Sequence, residues 1–309
     1  MPDLAVLGVF GLALDDFKPF VLTGLSLGAV YALSATGIVV LYQATGVLNL
    51  AFGAVGALGA LISWELVNST GIPDWVCYLA CVGVGGVVTL LYGVVFGPAF
   101  AGRDALVKAT ATLGLALILL GSMYWIWPAG TFARSLIMPT TNWGFQVDFL
   151  NARLNGTQII AMCFGIGVTA GTALFLRLTK LGTAMRALAD DREITATLGV
   201  PVRRVEAAAW LGSGLVCGAS GLLLANLVGL DAGSLTFLVI SALAAALIAR
   251  LRSLWVTLFA GIGIGLVEAL VTPIIELSRY RTMAPFVLAI AALLVFQRHS
   301  TMPVTRAAR

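Results

Sequence analysis

Residues 19–64 read PFVLTGLSLGAVYALSATGIVVLYQATGVLNLAFGAVGALGALISW, 46 positions without a charge between Lys18 and Glu65. About 20 apolar residues cross the hydrocarbon core of a bilayer, so this stretch is too long for a single crossing. A polar, glycine-containing hinge (Gln43, Thr45, Gly46, Asn49) lies near its middle. We read two spans, at 20–42 and 48–66. The rest of the chain repeats the pattern. Charge-free intervals fall at 75–102, 109–133, 154–176, 207–230, 232–249 and 282–297, and 253–275 is broken only by Glu268. That gives nine expected spans in an all-α, polytopic helix bundle.

Composition excludes the alternatives. Of 309 residues, 60% are hydrophobic and 10% charged, against roughly 25% charged in soluble domains. Mean hydropathy is +1.02. The 35 glycines follow no collagen period, and hydrophobicity is far above that of disordered chains. Cys77, Cys81, Cys163 and Cys217 all lie in apolar runs without a CxxC pair, and His299 is the one histidine. Neither a disulfide framework nor a metal site is expected. No GxxxxGK[ST] phosphate loop is present, and no Ser/His/acid or HExxH arrangement. An enzyme is not expected, and no cofactor in this chain.

Lysine and arginine collect in cytoplasmic loops. With residues 1–19 outside, nine spans leave thirteen basic and five acidic residues inside (+8), and five basic against eight acidic outside (−3). The net charge of +4 and basic pI of about 9.0 then reflect anchoring to the inner face and not nucleic acid. We therefore expect an N-out, C-in single transmembrane domain over 1–309. Its appendages are an external segment at 1–19, with a surface helix at 4–14 that lacks the form of a signal peptide, a cytoplasmic loop at 177–206 and a basic tail at 298–309. Trp64, Trp75, Trp125 and Trp127 sit where interfaces are expected.

Small residues recur at helical spacing: Gly24/Gly28, Gly53/Gly56/Gly59, Gly212/Gly218/Gly221 and Gly261/Gly265. Such faces let helix backbones approach closely in lipid. Glu268 is the one ionisable residue placed well inside a span, and intramembrane acids face the bundle interior or water. It is either part of a solute path or a packing acid. Tyr31, Ser34, Thr36, Asn49, Ser213, Ser220 and Asn226 either line a path or hydrogen-bond helix to helix. In the 177–206 loop, Thr183 is expected to cap a short helix through Leu188. Asp190-x-x-Glu193 has the form of a capping box for a second helix, stopped by Gly199 and Pro201. Ile194 and Leu198 give that helix a small apolar face. The loop is either a docking element or an interfacial anchor.

Several stretches resemble one family. Gly24-Leu-Ser-Leu-Gly28-Ala-Val-Tyr31 through Gly37, Gly46-Val-Leu-Asn49-Leu-Ala51-Phe-Gly53, Gly182-Thr-Ala-Met-Arg186 through Asp190-Asp191 to Leu198-Gly199-Val200, Gly218-Ala-Ser-Gly221 and Gly265-Leu-Val-Glu268 occur in order. They are similar to the permease subunits of branched-chain amino-acid (LivH/LivM-type) ABC importers, over residues 20–297. The resemblance implies a subunit that moves a small solute (a branched-chain amino acid or related amide, urea or organic acid) across a bacterial inner membrane. It implies a second homologous permease, two cytoplasmic ATPases carrying ATP and Mg, and an extracytoplasmic solute-binding protein as partners. It makes 190–199, with Asp190, Asp191, Glu193, Ile194, Leu198 and Gly199, the ATPase-coupling element. Tyr31, Asn49, Asn226 and Glu268 are the candidates for the solute path.

Two departures stand out. Where the family often has Asn-Phe-Ala-His-Gly-Glu, this chain has Asn49-Leu-Ala-Phe52-Gly-Ala54, and a glycine-rich cytoplasmic turn is replaced by Ala249-Arg250-Leu-Arg252-Ser-Leu-Trp255. A stand-alone secondary transporter or channel is the competing reading. Such carriers need several intramembrane ionisable groups or broken helices around an ion site.

Overall fold

The computed structural model describes residues 14–100, 102–128, 135–147, 152–274 and 283–298. The external helix expected at 4–14 and the tail beyond 298 lie outside them. Twelve α-helices are described: α1 Leu14–Thr45, α2 Phe52–Ser69, α3 Asp74–Phe100, α4 Ala105–Ile126, α5 Gly156–Leu178, α6 Lys180–Asp190, α7 Arg192–Thr197, α8 Val202–Val228, α9 Ala232–Phe237, α10 Val239–Ile248, α11 Leu254–Val271 and α12 Ala284–Arg298. A small antiparallel hairpin, β1 Gly144–Val147 and β2 Ala152–Asn155, precedes α5. The chain is an all-α polytopic membrane protein.

Seven described helices are long and apolar enough to cross a membrane: those spanning 17–45, 52–69, 74–100, 105–126, 156–178, 202–228 and 254–271. The hinge inside the opening stretch is real. α1 stops at Thr45, Gly46 takes a left-handed φ of +65°, and α2 begins at Phe52. The interval 232–249 differs from the expected continuous span. It breaks at Leu238 into α9 and α10, and Asp231 caps α9 by accepting from the Ser234 N–H at 2.7 Å. The described part of α12 comprises 15 residues.

α1 and α8 form the axis. α1 packs on α11, α8, α5 and α10, while α8 packs on α3, α1 and α2. Tyr31, Leu33, Ile38, Val39 and Leu41 of α1 are fully buried. Lipid tails are as apolar as leucine, so helix association needs close backbone packing. Glycine supplies it. A Cβ on Gly28 would lie 2.7 Å from Ile262 Cα, and one on Gly261 2.6 Å from the Ala32 nitrogen. Across the axis, a Cβ on Gly218 would lie 2.7 Å from Val82 Cα and one on Gly221 2.6 Å from Gly56 Cα. One expected seam residue moves: nothing lies within 4 Å of a Cβ on Gly212, and Gly214 takes its place against Gly85 and Gly86. That follows from helical phase, since 214, 218 and 221 share a face.

Polar clips then fix the axial register. Thr36 and Thr169 pair at 2.9 Å, Ser213 Oγ donates to the Gly37 carbonyl at 2.9 Å, and Thr89 Oγ1 donates to the Trp210 carbonyl at 2.9 Å. Thr36 and Ser213 therefore join helices.

Replacing Gly265 by valine forces side-chain atoms into the Gly28 backbone. We expect a loss of about 1–3 kcal/mol or more, as for overpacked cores, read as a lowered thermal midpoint in detergent. Gly263→Ala, on the open side of α11, serves as the neutral control.

Candidate functional site

A cavity of about 640 Å³ opens among α1, α5, α8, α9, α10, α11 and α12. Its depth follows from helix direction. α8 begins beside the α6–α7 loop and ends at Val228, which lines the cavity with Leu227, and Gln158 comes from the first turn of α5. The chamber therefore lies at the end of the bundle opposite α6 and α7. Its volume is within the 300–1,000 Å³ of small-molecule sites.

Tyr31 and Glu268 both line it, and the Tyr31 hydroxyl donates to Glu268 Oε2 at 3.0 Å. The pairing is a product of the glycine seam: α1 and α11 touch backbone to backbone at Gly24, Gly28, Gly261 and Gly265, so side chains one turn away meet. Glu268 is 8% exposed. Ser26, Ser234, Ser241 and Thr272 add hydroxyls, while Leu27, Phe237 and Phe286 add apolar surface. Ser234 and Phe237 on α9, Leu238 at the break and Ser241 on α10 also line the chamber, and their i, i+3, i+4, i+7 spacing is a signal in the sequence that no reading of single polar residues uses.

The other two path candidates lie elsewhere. Asn49 is buried, and its Oδ1 accepts from the Ala51 N–H at 3.0 Å, shaping the turn into α2. Thr112 of α4 holds that turn from outside, accepting from the Leu50 N–H and donating to the Leu48 carbonyl. Asn226 donates to the Leu136 carbonyl and accepts from Thr141 Oγ1 at 3.0 Å, tying the segment before the hairpin to α8. Neither lines the chamber. Beneath it, a pocket of about 10 Å³ is lined by Ser34, Phe52, Ser220 and Leu235, with Leu238 bordering both spaces. The Phe52 ring lies so close to Gly37 that a Cβ there would be 2.7 Å from Cε2. The chamber is thus sealed on the α6–α7 side.

At the far end, both caps differ from those expected, by four residues for α6 and by one for α7. Thr179, not Thr183, caps α6 by accepting from the Gly182 N–H, and Asp191, not Asp190, caps α7 by accepting from the Ile194 N–H at 2.9 Å. Asp190 closes α6, and Glu193 falls in the first turn of α7. An aspartate at either position suits a cap. The register is set by α6, which presses Gly182 onto Leu176 and buries Met185 and Leu188. Thr195 Oγ1 donates to the Ala187 carbonyl, and Arg192 Nε and Nη2 both reach Glu206 Oε1 at 3.0 Å. Gly199 takes a φ of +82° and ends the element. Asp190, Asp191 and Glu193 are exposed. Ile194 and Leu198 are 60% and 77% exposed.

Between α10 and α11, the basic turn at 249–253 bends through Arg250 and Leu251, both at left-handed φ (53° and 56°). Gln43 Nε2 donates to the Leu251 and Arg252 carbonyls at 3.2 and 2.8 Å. The end of α1 thereby holds a backbone shape that usually needs glycine.

Comparison with known proteins places the chain. The family model described as "Branched-chain amino acid transport system / permease component" matches residues 20–295. The probable branched-chain amino acid transport permease protein LivH of Methanocaldococcus jannaschii is 28% identical over 247 residues, covering 78% of this chain and 76% of its own. LivH of Escherichia coli K12 is 25% identical over 287 residues (88% and 91%), and BraD of Pseudomonas aeruginosa is 25% identical over 284 (88% and 91%). Among solved structures, PsaBC from Streptococcus pneumoniae in complex with Fab gives a TM-score of 0.47 at 14% identity, covering 90% of this chain and 89% of that one. The chain belongs to the family of branched-chain amino acid transport permease components and is a permease subunit of an ABC importer, with a transport role and not an enzymatic one.

Proposed function

We propose that this subunit passes a small polar or amphipathic solute, a branched-chain amino acid or a related amide, urea or organic acid, across a bacterial inner membrane. Solute enters the 640 Å³ chamber from an extracytoplasmic binding protein. ATP and Mg on two cytoplasmic partner ATPases drive the cycle, and a second homologous permease completes the path. The whole chain acts as one transmembrane domain of nine crossings, N-out and C-in, with α6 and α7 facing the cytoplasm.

The observation that carries this reading is the pairing of an ordered, outward-facing apolar face on α7 with a chamber at the opposite end of the same helix system. Ile194 and Leu198 are exposed on an element that Asp191, Thr195 and Arg192 hold rigid. An anchor lying in lipid would not need that rigidity. α8 connects the two ends: Glu206 takes the Arg192 ion pair, Ser220 and Gly221 border the narrow pocket, and Leu227 and Val228 border the chamber. A shift of α7 imposed by an ATPase is then passed through a rigid helix, as in other rigid-body switches. The route is short and mechanical.

Burying a leucine or isoleucine contributes about 1.5–3 kcal/mol. Ile194→Asp with Leu198→Asp should therefore weaken ATPase association at least tenfold and abolish solute-stimulated ATP hydrolysis, measured on the purified complex. Unchanged stimulation would remove α7 from coupling. Asp191→Ala should cost α7 about 1 kcal/mol of cap stabilisation, seen as faster amide exchange at Ile194. Asp190→Ala should leave that exchange unchanged.

A further inference from the structure

Where α3, α4, α7 and α8 meet the turn between α1 and α2, a cavity of about 30 Å³ has a polar lining that is unevenly paired. Tyr92 is 8% exposed, and its hydroxyl is buried without a hydrogen-bond partner among the described residues. Lys108 is half-buried, and its ammonium makes no ion pair with a described residue. Glu206, the acid of the lining, gives Oε1 to Arg192, while no described residue donates to Oε2. Ala101 and the tail beyond 298, which lie outside the described residues, hold no Asp or Glu. One carboxylate therefore borders the same space as two cations and a phenol, and only Arg192 is paired with it. A buried hydroxyl without an acceptor is costly, and hydrogen bonds to a carboxylate are the strong ones.

The position of α7 keeps the carboxylate with Arg192. Tyr92 and Glu206 stand on helices locked to each other. Thr89 Oγ1 donates to the Trp210 carbonyl at 2.9 Å, and the Trp210 indole lies on bare Gly93 with its ring centre 5.4 Å from that of Tyr92. Lys108 stands one turn before Thr112, which holds the α1–α2 turn at Leu48 and Leu50. Arg192, by contrast, is 47% exposed on the six-residue α7. Given that α7 is the coupling element as read above, we propose that Glu206 is a two-position latch: Arg192 holds its carboxylate at rest, and displacement of α7 releases it to Lys108 and Tyr92. In the second position the charge on α8 is tied to α4, and so to the turn that leads into Phe52. Lys108 and Tyr92 are positioning residues of the transport stroke and act through Glu206.

Linkage gives the two positions opposite signs. A ligand that favours one state binds more tightly when the competing state loses a stabilising group, and more weakly when its own state does. The readout is the affinity of the assembled permease–ATPase complex in nanodiscs for a non-hydrolysable ATP analogue with Mg. Arg192→Gln should tighten it about two- to fivefold, the range of a largely exposed ion pair. Lys108→Gln and Tyr92→Phe should each weaken it about tenfold, the loss of one charge-assisted hydrogen bond, and Lys108→Arg should restore most of the Lys108→Gln loss. Adding Lys108→Gln to Glu206→Gln should change the affinity by less than about twofold, because the two groups form one pair. Tyr92→Phe should leave the thermal midpoint of the resting complex unchanged or raised, since the hydroxyl has no protein partner there.

Unchanged affinity in Lys108→Gln or Tyr92→Phe, or a shift of the same sign in Lys108→Gln and Arg192→Gln, would overturn the latch. So would a lowered resting midpoint in Tyr92→Phe with unchanged affinity, the mark of a cavity that only packs or holds water. One further arm separates the latch from the role of α7. If Ile194→Asp with Leu198→Asp leaves ATPase association intact, α7 is not the coupling element and both readings fail. If that variant loses association while the Lys108 and Tyr92 variants bind the analogue as the parent does, the latch alone fails.

Discussion

The contact of α1 with α11 at bare backbone is the constraint on which the rest of the structure depends. Apolar burial cannot drive helices together inside a bilayer, so the bundle relies on backbone approach and interhelical hydrogen bonds. Gly24, Gly28, Gly261 and Gly265 allow the first. Thr36–Thr169 and Ser213–Gly37 supply the second. Because α1 and α11 meet without side chains between them, Tyr31 and Glu268 are brought within hydrogen-bonding distance across 237 positions of sequence. The chemistry of the chamber follows from the packing and could not exist with a bulkier seam.

The second seam gives the molecule its axis of transmission. α8 lies against α3 at Gly214 and Gly218 and against α2 at Gly221. Its lower end is gripped by the Arg192–Glu206 pair, and its upper end borders the chamber. That pair is partly exposed, and an exposed ion pair contributes about 0–1 kcal/mol, so its value lies in fixing geometry more than in stability.

Much of the fold was legible from charge spacing alone. Lipid forces every crossing to be a long uncharged helix, so the gaps between charges mark the helices, and the hinge at Gly46 showed as polarity within an apolar run. What spacing could not show was phase and long-range pairing. Gly214 shares the helix face of Gly218 and Gly221 by spacing and Gly212 does not, but only packing shows which face forms the seam. Asp190 and Asp191 are both good caps, and the fit of α6 against α5 chooses between them. The break at Leu238 is hidden because Leu-Val-Ile continues an apolar run. Of the four path candidates, the two that line the chamber, Tyr31 and Glu268, were visible as a polar residue and an acid inside spans. Asn49 and Asn226 share that visibility, yet they serve a turn and a loop contact.

The departure at Phe52 shows how a lost polar motif can be accommodated by the bundle around it. The family resemblance puts a histidine at this position and an acid at Ala54, and polar groups there would need partners between α1, α2 and α8. Here Phe52 is almost fully buried, its ring lies on Gly37, and its backbone carbonyl accepts from the Cys217 thiol at 2.7 Å. Gly37 is the compensation: any side chain at that position would displace the ring. The result is an apolar seal under the chamber, formed by three helices of which α8 is one. A seal of this kind is held by shape and not by charge, so a small displacement of α8 against α1 and α2 removes the surface on which the ring rests. In the proposed cycle, the same helix that receives the motion of α7 is therefore also a wall of the barrier that must open.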